Sequence, residues 1–397
     1  MELNVDLPGR AYPVIIGGSA IPRAGGFLTG AAAVVTDENV YNLYGAYLED
    51  VLRSQGRDFF TVIVPPGEKS KSADTLGRLY SAFHQNGLTR NGRVVAFGGG
   101  VVGDLAGFAA STYMRGVPFV QIPTTLLAQV DASVGGKVAV NLDAGKNLAG
   151  SFYQPLAVLA DTFLLSTLPD REWLTGMAEV VKHALIGGGE LAELLASRPP
   201  RRPAERGDTP ELDRLICLNC KHKASVVLND EFDTSARMTL NFGHTFGHAL
   251  EVMGGYEKYT HGEAVAAGMA IAARAGTLLG VSEPGTEKAV LNLMDSCGLN
   301  YELHENLSDV IHLMSGDKKN ANTGELTLIL LKKIGKPVIY QVTPEKLAQA
   351  FGTENSAPEI RRSNRKLVSA YPGGLTRLPP SKSIAHRAVI CGALAGG

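Results

Sequence analysis

Residues 93–112 read RVVAFGGGVVGDLAGFAAST, and this stretch decides the fold. Arg93–Phe97 is a short apolar run of the kind that forms a buried strand. It enters a glycine turn, and from Asp104 to Met114 the apolar spacing becomes helical. Gly98, Gly100 and Gly103 satisfy G-x-G-x-x-G between strand and helix. Glycines there let backbone amides close on a pyrophosphate at the positive end of a helix. The acidic residue usual at the end of the next strand is missing, because Val117–Ile122 runs into Pro123, Thr124 and Thr125. Asp37 stands instead at the end of an earlier strand, where a carboxylate can hydrogen-bond a ribose. On these residues alone a dinucleotide, another phosphate ligand and a plain tight turn all stay open.

Outward from this turn, Tyr12–Ile16, Ala33–Thr36, Phe59–Val64 and Leu156–Ala160 are further strand-like runs bounded by Gly, Pro or Asp. Ser72–Gln85 is helical in pattern. Short apolar strands alternating with helices imply a parallel sheet covered on both faces. From about Thr167 the spacing is mostly helical, in Arg171–Ile186, Leu212–Leu228, His244–Met253, Glu263–Leu279 and Glu287–Cys297. One late stretch, Leu326–Val342, has a strand–turn–strand look around Gly335. The predicted fold class is an α/β N-terminal domain with a parallel sheet, residues 1–165, then a mainly α-helical domain, residues 166–351. Ser197–Pro210, rich in Pro and Arg, reads as a solvated loop between helices.

Composition excludes several classes. With 45% hydrophobic and 19% charged residues, the chain is not mostly disordered. A net charge of -1 supplies no global field for nucleic acid or an anionic membrane. No apolar run approaches a membrane span, and no basic-then-apolar leader opens the sequence. Four cysteines are too few for a disulfide scaffold. Cys217 and Cys220 fall inside a helical pattern without a partner pair, which favours ordinary thiols over a metal or redox motif. A soluble cytoplasmic protein is expected.

His244 and His248 are four apart in NFGHTFGH and share a helical face. His261, Gly262 and Glu263 follow at a distance that a helical hairpin can close. Upstream, Glu179 and Lys182 are three apart and share another face. Nitrogen and carboxylate ligands with one position left open suit a catalytic zinc ion, but a histidine on an apolar face is commonly a core residue, so on spacing alone both readings stay open. Spacing does not choose between His244 and His248. Arg115, Lys137, Lys146, Lys182, Lys223 and Arg237 add cations. Each alone reads as a surface charge, but together they suit a substrate carrying phosphate and carboxylate.

FGGGVVGDLAGFAASTYMRGV (97–117) and QIPTTLLAQVDASVGGK (121–137) resemble the signatures of 3-dehydroquinate synthases. Lys146-Asn147, GMAEVVK (176–182), LNFGHTFGH (240–248) and HGE (261–263) fall in that family's order and spacing, so the resemblance covers roughly residues 1–350. One departure is Val138, where the family usually has Thr. The resemblance implies a zinc ion, with cobalt able to substitute, held by Glu179, His244 and His261. It implies NAD contacts from Asp37, Asn39, the turn Glu68–Lys71, Gly99, Gly100, Val101, Val102, Gly103, Asp104, Thr124, Thr125, Leu164, Leu165, Ser166 and Thr167. Lys137, Lys146, Asn147, Lys182, Lys223, Arg237, Asn241 and His248 match substrate-binding positions, and Asp131 matches an active-site acid. Arg115 matches a residue that reaches a substrate phosphate across a homodimer interface. Lys318 is a further match.

The implied substrate is a small phosphorylated sugar acid, 3-deoxy-D-arabino-heptulosonate 7-phosphate. NAD⁺ takes a hydride from C5 while zinc stabilises the alkoxide, phosphate leaves by β-elimination, the hydride returns, and the opened enol closes as an aldol to 3-dehydroquinate. The rivals are another sugar-phosphate cyclase on the same fold, a metal-dependent polyol dehydrogenase with net NADH production, and a nucleotide-binding regulatory module. The assembled Glu, His and Lys cluster disfavours the last.

The C-terminal stretch GGLTRLPPSKSIAHR (373–387) resembles the start of 5-enolpyruvylshikimate-3-phosphate synthase, with Lys382, Ser383 and Arg387 at substrate-binding positions. Residues 352–370 read as a polar linker and 371–397 as a fragment of that second enzyme, too short for its active site. The tail is expected to be dispensable. A chain ended at Gly352 should keep the phosphate release and melting temperature of the full chain, and a large loss of either would tie the tail to the cyclase fold.

Overall fold

The computed structural model describes residues 1–203, 209–233, 236–315 and 324–352. Lys318, the rest of the linker and the fragment 371–397 lie outside the described residues, and Gly352 closes the helix Pro344–Gly352.

Seven strands form one sheet, in the spatial order Glu2–Val5, Tyr12–Ile16, Ala157–Ala160, Phe119–Pro123, Arg93–Gly98, Ala32–Asp37 and Phe59–Val64. The first pair is antiparallel and every other pair is parallel. A parallel sheet has to be covered on both faces, and alternate residues of one strand show how. Val94 and Ala96 pack with Leu76, Leu79 and Phe83 of the helix Ala73–Gln85 and with Leu105 and Ala109 of the helix Gly100–Thr112. Val95 and Phe97 face the opposite way, onto Leu48 and Leu52 of the helix Ala46–Ser54. Arg93–Phe97 therefore reads as an unbroken apolar run.

Near the other edge, Val14, Ile16, Val158 and Ala160 share a core with Leu185, Leu212 and Leu215 of the helices Asp170–Gly187 and Pro210–Asn229. The hairpin Leu326–Lys333 and Lys336–Val342 contributes Leu328 and Leu330 to the same core. The expected border at residue 165 thus separates two kinds of secondary structure, while a single core runs across it. Among the described residues, no helix is long and apolar enough to cross a membrane.

The chain leaves Ala32–Asp37 toward Phe59–Val64 on one side and returns at Arg93–Gly98 on the other. Strand order reverses there, which opens a crevice outside the carboxyl ends, the usual ligand position in such sheets. Thr36 is paired with Phe97, so Asp37 lies beside the glycine turn. The helix after that turn begins at Gly100, earlier than the expected Asp104. Gly103 is therefore in its first turn, where a Cβ would fall 3.0 Å from Gln121 Oε1 on the neighbouring strand.

Phe119 is fully buried and stacks on Tyr153 with ring centroids 5.7 Å apart. Phe119→Ala is expected to cost about 3–5 kcal/mol of folding stability, because the closely packed strands around it cannot collapse into the cavity. Chemical denaturation checks this; a loss below about 1 kcal/mol would show that the site closes up.

Candidate active site

Two helices begin with a histidine. His244 opens His244–Met253 and His261 opens His261–Leu278, and Glu179 projects from the middle of Asp170–Gly187. One ligand atom from each of the three lies within 4.8 Å of the others. Glu179 Oε1 is 3.6 Å from His244 Nε2 and 3.3 Å from His261 Nε2. Glu179 is fully buried, and neither carboxylate oxygen has a hydrogen bond. The Lys182 ammonium, one turn on, stands beside Oε2. A buried carboxylate whose Oε1 has no hydrogen bond and faces two imidazoles fits a cation of the zinc type. His248 is exposed and lies edge-on to His244, ring centroids 5.5 Å apart, outside the group of three.

The electrostatics differ between the two imidazoles. Burial, helped by the Lys182 ammonium, lowers His244 to about 3, so its ring is neutral and able to ligate. Burial also disfavours the charged form of His261, but the Glu179 and Glu251 carboxylates outweigh it and raise this ring to about 10. Burial raises the Glu179 carboxyl, and Lys182, His244 and His261 together more than reverse this, holding it well below the carboxylate range.

A run of polar contacts extends from this group in two directions. On one side Glu251 Oε1 lies 3.6 Å from His261 Nδ1 and 3.7 Å from Lys146 Nζ, which also sits 4.0 Å from the Tyr256 ring centre. Asn147, the next residue, accepts from Lys71 Nζ at 2.5 Å, and the same ammonium pairs with Asp104 at 2.5 Å. Contacts thus lead from the metal group to the helix behind the glycine turn. On the other side Asp131 pairs with Lys223 at 2.6 Å and lies 3.6 Å from His183 Nε2. Burial raises the Asp131 carboxyl, but Lys223 and then Lys182 overcome it and keep it ionised. Buried Arg237 donates to Glu231 O at 3.0 Å, and Lys137 pairs with Asp233.

Of the substrate-side expectations, Arg115 and Asn241 are exposed and join none of these contacts among the described residues. Arg115 follows Met114 in a turn where both have left-handed backbone, φ 67° and 50°. Two such non-glycine residues in succession are strained.

On the nucleotide side, Asp37 caps the start of the next helix, accepting from the amides of Asn39 and Val40 at 2.9 and 3.1 Å. Glu68 accepts from Asn141 at 2.7 Å. Gly99 borders Thr125: a Cβ there would lie 3.1 Å from Thr125 Cγ2, so a side chain would fill the space at the helix start. The thirteen-residue helix Gly100–Thr112 presents its free amides at this point. These features fit a pyrophosphate. Val102, Leu164 and Leu165 bury their side chains in three hydrophobic cores, which leaves only their backbones to meet a nucleotide. The Leu164 carbonyl already accepts from Tyr44 Oη at 3.3 Å, and Thr167 Oγ1 shares a 2.8 Å hydrogen bond with the same hydroxyl.

Sequence reasoning missed Glu251, His183 and Tyr256. The signal was present for two of them. Glu251 is three residues after His248 and seven after His244, on one helical face, and His183 is four after Glu179. Tyr256 carries no such spacing signal.

A parallel sheet with a nucleotide-type crevice, joined to a helical half with a Glu–His–His group among buried lysines, defines a nucleotide- and metal-binding α/β protein. The chain belongs to the 3-dehydroquinate synthase family. Its residues 61–175 match the profile of the 3-dehydroquinate synthase N-terminal region, and 176–320 that of the C-terminal region. It is 43% identical over 357 residues to the 3-dehydroquinate synthase of Caldanaerobacter subterraneus subsp. tengcongensis, covering 88% of this chain and 99% of that one. It is 42% identical to that of Neisseria meningitidis serogroup C, covering 86% and 96%. Among solved structures, 2-deoxy-scyllo-inosose synthase with carbaglucose-6-phosphate, NAD⁺ and Co²⁺ aligns at TM-score 0.80 and 26% identity, covering 88% of this chain and 98% of that one. The 2-epi-5-epi-valiolone synthase of Streptomyces hygroscopicus subsp. jinggangensis, with NAD⁺ and Zn²⁺, aligns at 0.78 and 27%, covering 86% and 96%.

Two outcomes follow for the metal. His244→Ala and His261→Ala should lose zinc in elemental analysis while His248→Ala keeps it. Because the His261 ring must shed its proton before it can ligate, zinc affinity should rise with pH below about 10. Calorimetry in buffers of different ionisation enthalpy should show proton release, and an affinity flat from about pH 6 to pH 8 would contradict the raised proton affinity of the His261 ring.

Proposed function

We infer that the protein acts as a 3-dehydroquinate synthase, a phosphate-eliminating cyclase of the shikimate pathway, turning 3-deoxy-D-arabino-heptulosonate 7-phosphate into 3-dehydroquinate and phosphate. One observation carries the reading: the contacts through Asp104, Lys71, Asn147, Lys146, Glu251 and His261 join the glycine-turn helix to the Glu179–His244–His261 group. A reaction that oxidises and eliminates on one small substrate needs both regions at once. Related cyclases hold NAD⁺ with Co²⁺ or Zn²⁺. When bound, NAD supplies a reversible hydride acceptor and zinc a Lewis acid.

The chain's own residues do the rest. Glu179, neutral His244 and His261 hold the metal. The Gly99–Asp104 turn, with Asp37, Asn39, Glu68, Lys71, Thr124 and Thr125, holds the nucleotide, and Ser166 and Thr167 border it. Lys137, Lys146, Lys182, Lys223 and Arg237 neutralise the substrate's phosphate and carboxylate, and Asn147, Asn241 and His248 orient its hydroxyls. Asp131, the acidic residue of this set, stays ionised beside Lys223 and holds that ammonium in the site. The working unit is a homodimer in which Arg115 serves the neighbouring subunit; its exposure and strained turn support that role.

Redox bookkeeping tests the reaction class. Phosphate release should need NAD⁺ in catalytic amount, with no steady rise of NADH absorbance. Stoichiometric NADH would instead favour a dehydrogenase, whose fold the chain also shares: a probable glycerol dehydrogenase from Sinorhizobium meliloti aligns at TM-score 0.59 and 18% identity. Arg115 is tested by mixing. Heterodimers of Arg115→Ala and Lys146→Ala subunits should regain activity that neither homodimer has, and no recovery in verified heterodimers would place both residues in the same subunit's site.

A further inference from the structure

The stretch His261–Glu263 supplies one metal ligand, yet its other two residues also meet the helix that supplies another. A Cβ on Gly262 would lie 2.3 Å from Thr175 Cα and 2.5 Å from Thr175 O, so the two helices touch backbone to backbone. Thr175 Oγ1 donates to Thr260 Oγ1 at 2.8 Å across this contact. Glu263 then accepts two hydrogen bonds from Arg171, Nε to Oε1 at 2.9 Å and Nη2 to Oε2 at 2.8 Å. Arg171 and Thr175 lie one turn apart on Asp170–Gly187, the helix that carries Glu179 one further turn on. Glu263 also closes a capping box, accepting from the Thr260 amide at 2.8 Å while the Thr260 hydroxyl accepts from the Glu263 amide at 3.2 Å.

We propose that the Arg171–Glu263 pair is a positioning clamp for the metal centre, fixing the start of the His261 helix against the Glu179 helix and so setting the Glu179–His261 separation. It rests on the metal reading above. A planar guanidinium gripping a carboxylate at two points fixes direction as well as distance, which a single-point contact does not. The approach at Gly262 sets how near the helices come, and the clamp sets their rotation about that point. Arg171 is 55% and Glu263 35% exposed, so the pair adds little to global stability. Its effect falls on the ligand geometry, with Glu179 two turns beyond Arg171 and His261 two residues before Glu263.

The test uses two variants of the full chain. Glu263→Gln keeps an acceptor for the capping box and loses the charged two-point grip; Arg171→Met loses the grip and leaves the box intact. The dissociation constant for zinc is measured by competition with a chromophoric chelator, and ligand-field absorption is recorded on the cobalt-loaded protein. Each variant is expected to bind zinc about tenfold more weakly, as outer partners of ligands typically do, with an altered cobalt spectrum and an ion-free melting temperature close to that of the parent. The double variant should lose no more than either alone. Zinc affinity within about twofold of the parent and an unchanged cobalt spectrum would overturn the clamp. So would a loss of affinity that only tracks a loss of folded protein, which would make the pair a structural brace. A parent chain that binds no zinc at all would overturn both the clamp and the metal reading, which separates the two failures.

Discussion

The carboxylate of Glu179 carries a charge with no access to water, and the helical half is arranged around it. Burying an ion costs several kcal/mol unless partners compensate. Here the compensation comes from three directions: an ammonium one turn away on the same helix, and an imidazole from the first residue of each of two other helices. Each partner fixes an element. His244 and His261 can meet Glu179 only if their helices start at the same depth in the core, and the packing of Phe246, Ala264 and Val265 into that core holds them there.

The same logic extends to the sheet. Lys71 is nearly fully buried, and its ammonium is shared between Asp104, on the glycine-turn helix, and Asn147, on the hairpin Lys137–Leu142 and Gly145–Phe152. That hairpin carries Lys137, Lys146 and Asn147 to the rim. Asn147 has left-handed backbone, φ 56°, and its amide donates to Asn141 at 2.9 Å. Local strain is thus held by the contacts that orient the site.

Much of this was legible in the sequence, for physical reasons that differ by element. Tyr12–Ile16, Phe59–Val64 and His244–Met253 match their expected bounds, because buried strands and amphipathic helices imprint their periods on the chain. The hairpin Lys137–Phe152 left no such imprint. Its second strand, GKNLAGSF, is half solvated and polar, so no alternation marks it. The helix start at Gly100 was hidden because glycine is a poor helix former, and the close approach of Gly103 to Gln121 is a tertiary contact that leaves no mark on the sequence. At the site, spacing left His244 and His248 equivalent, since both share one face. Helix rotation brings the first of them into the group with Glu179 and His261. Lys137, Lys146 and Lys223 were readable only as cations, because their partners Asp233, Glu251 and Asp131 come from distant segments.

The core that runs across residue 165 has an evolutionary consequence. Val5, Tyr12, Val14 and Val158 of the sheet half pack on Leu212, Leu215 and Cys220 of the helical half. Cutting between the halves would strip both of an apolar face, and neither piece would stay dispersed in water. Such a protein cannot be diversified by shuffling one half onto a foreign partner, as chains with detachable modules can. New specificities on this scaffold have to arise by point changes along the rim, with both halves inherited as one unit.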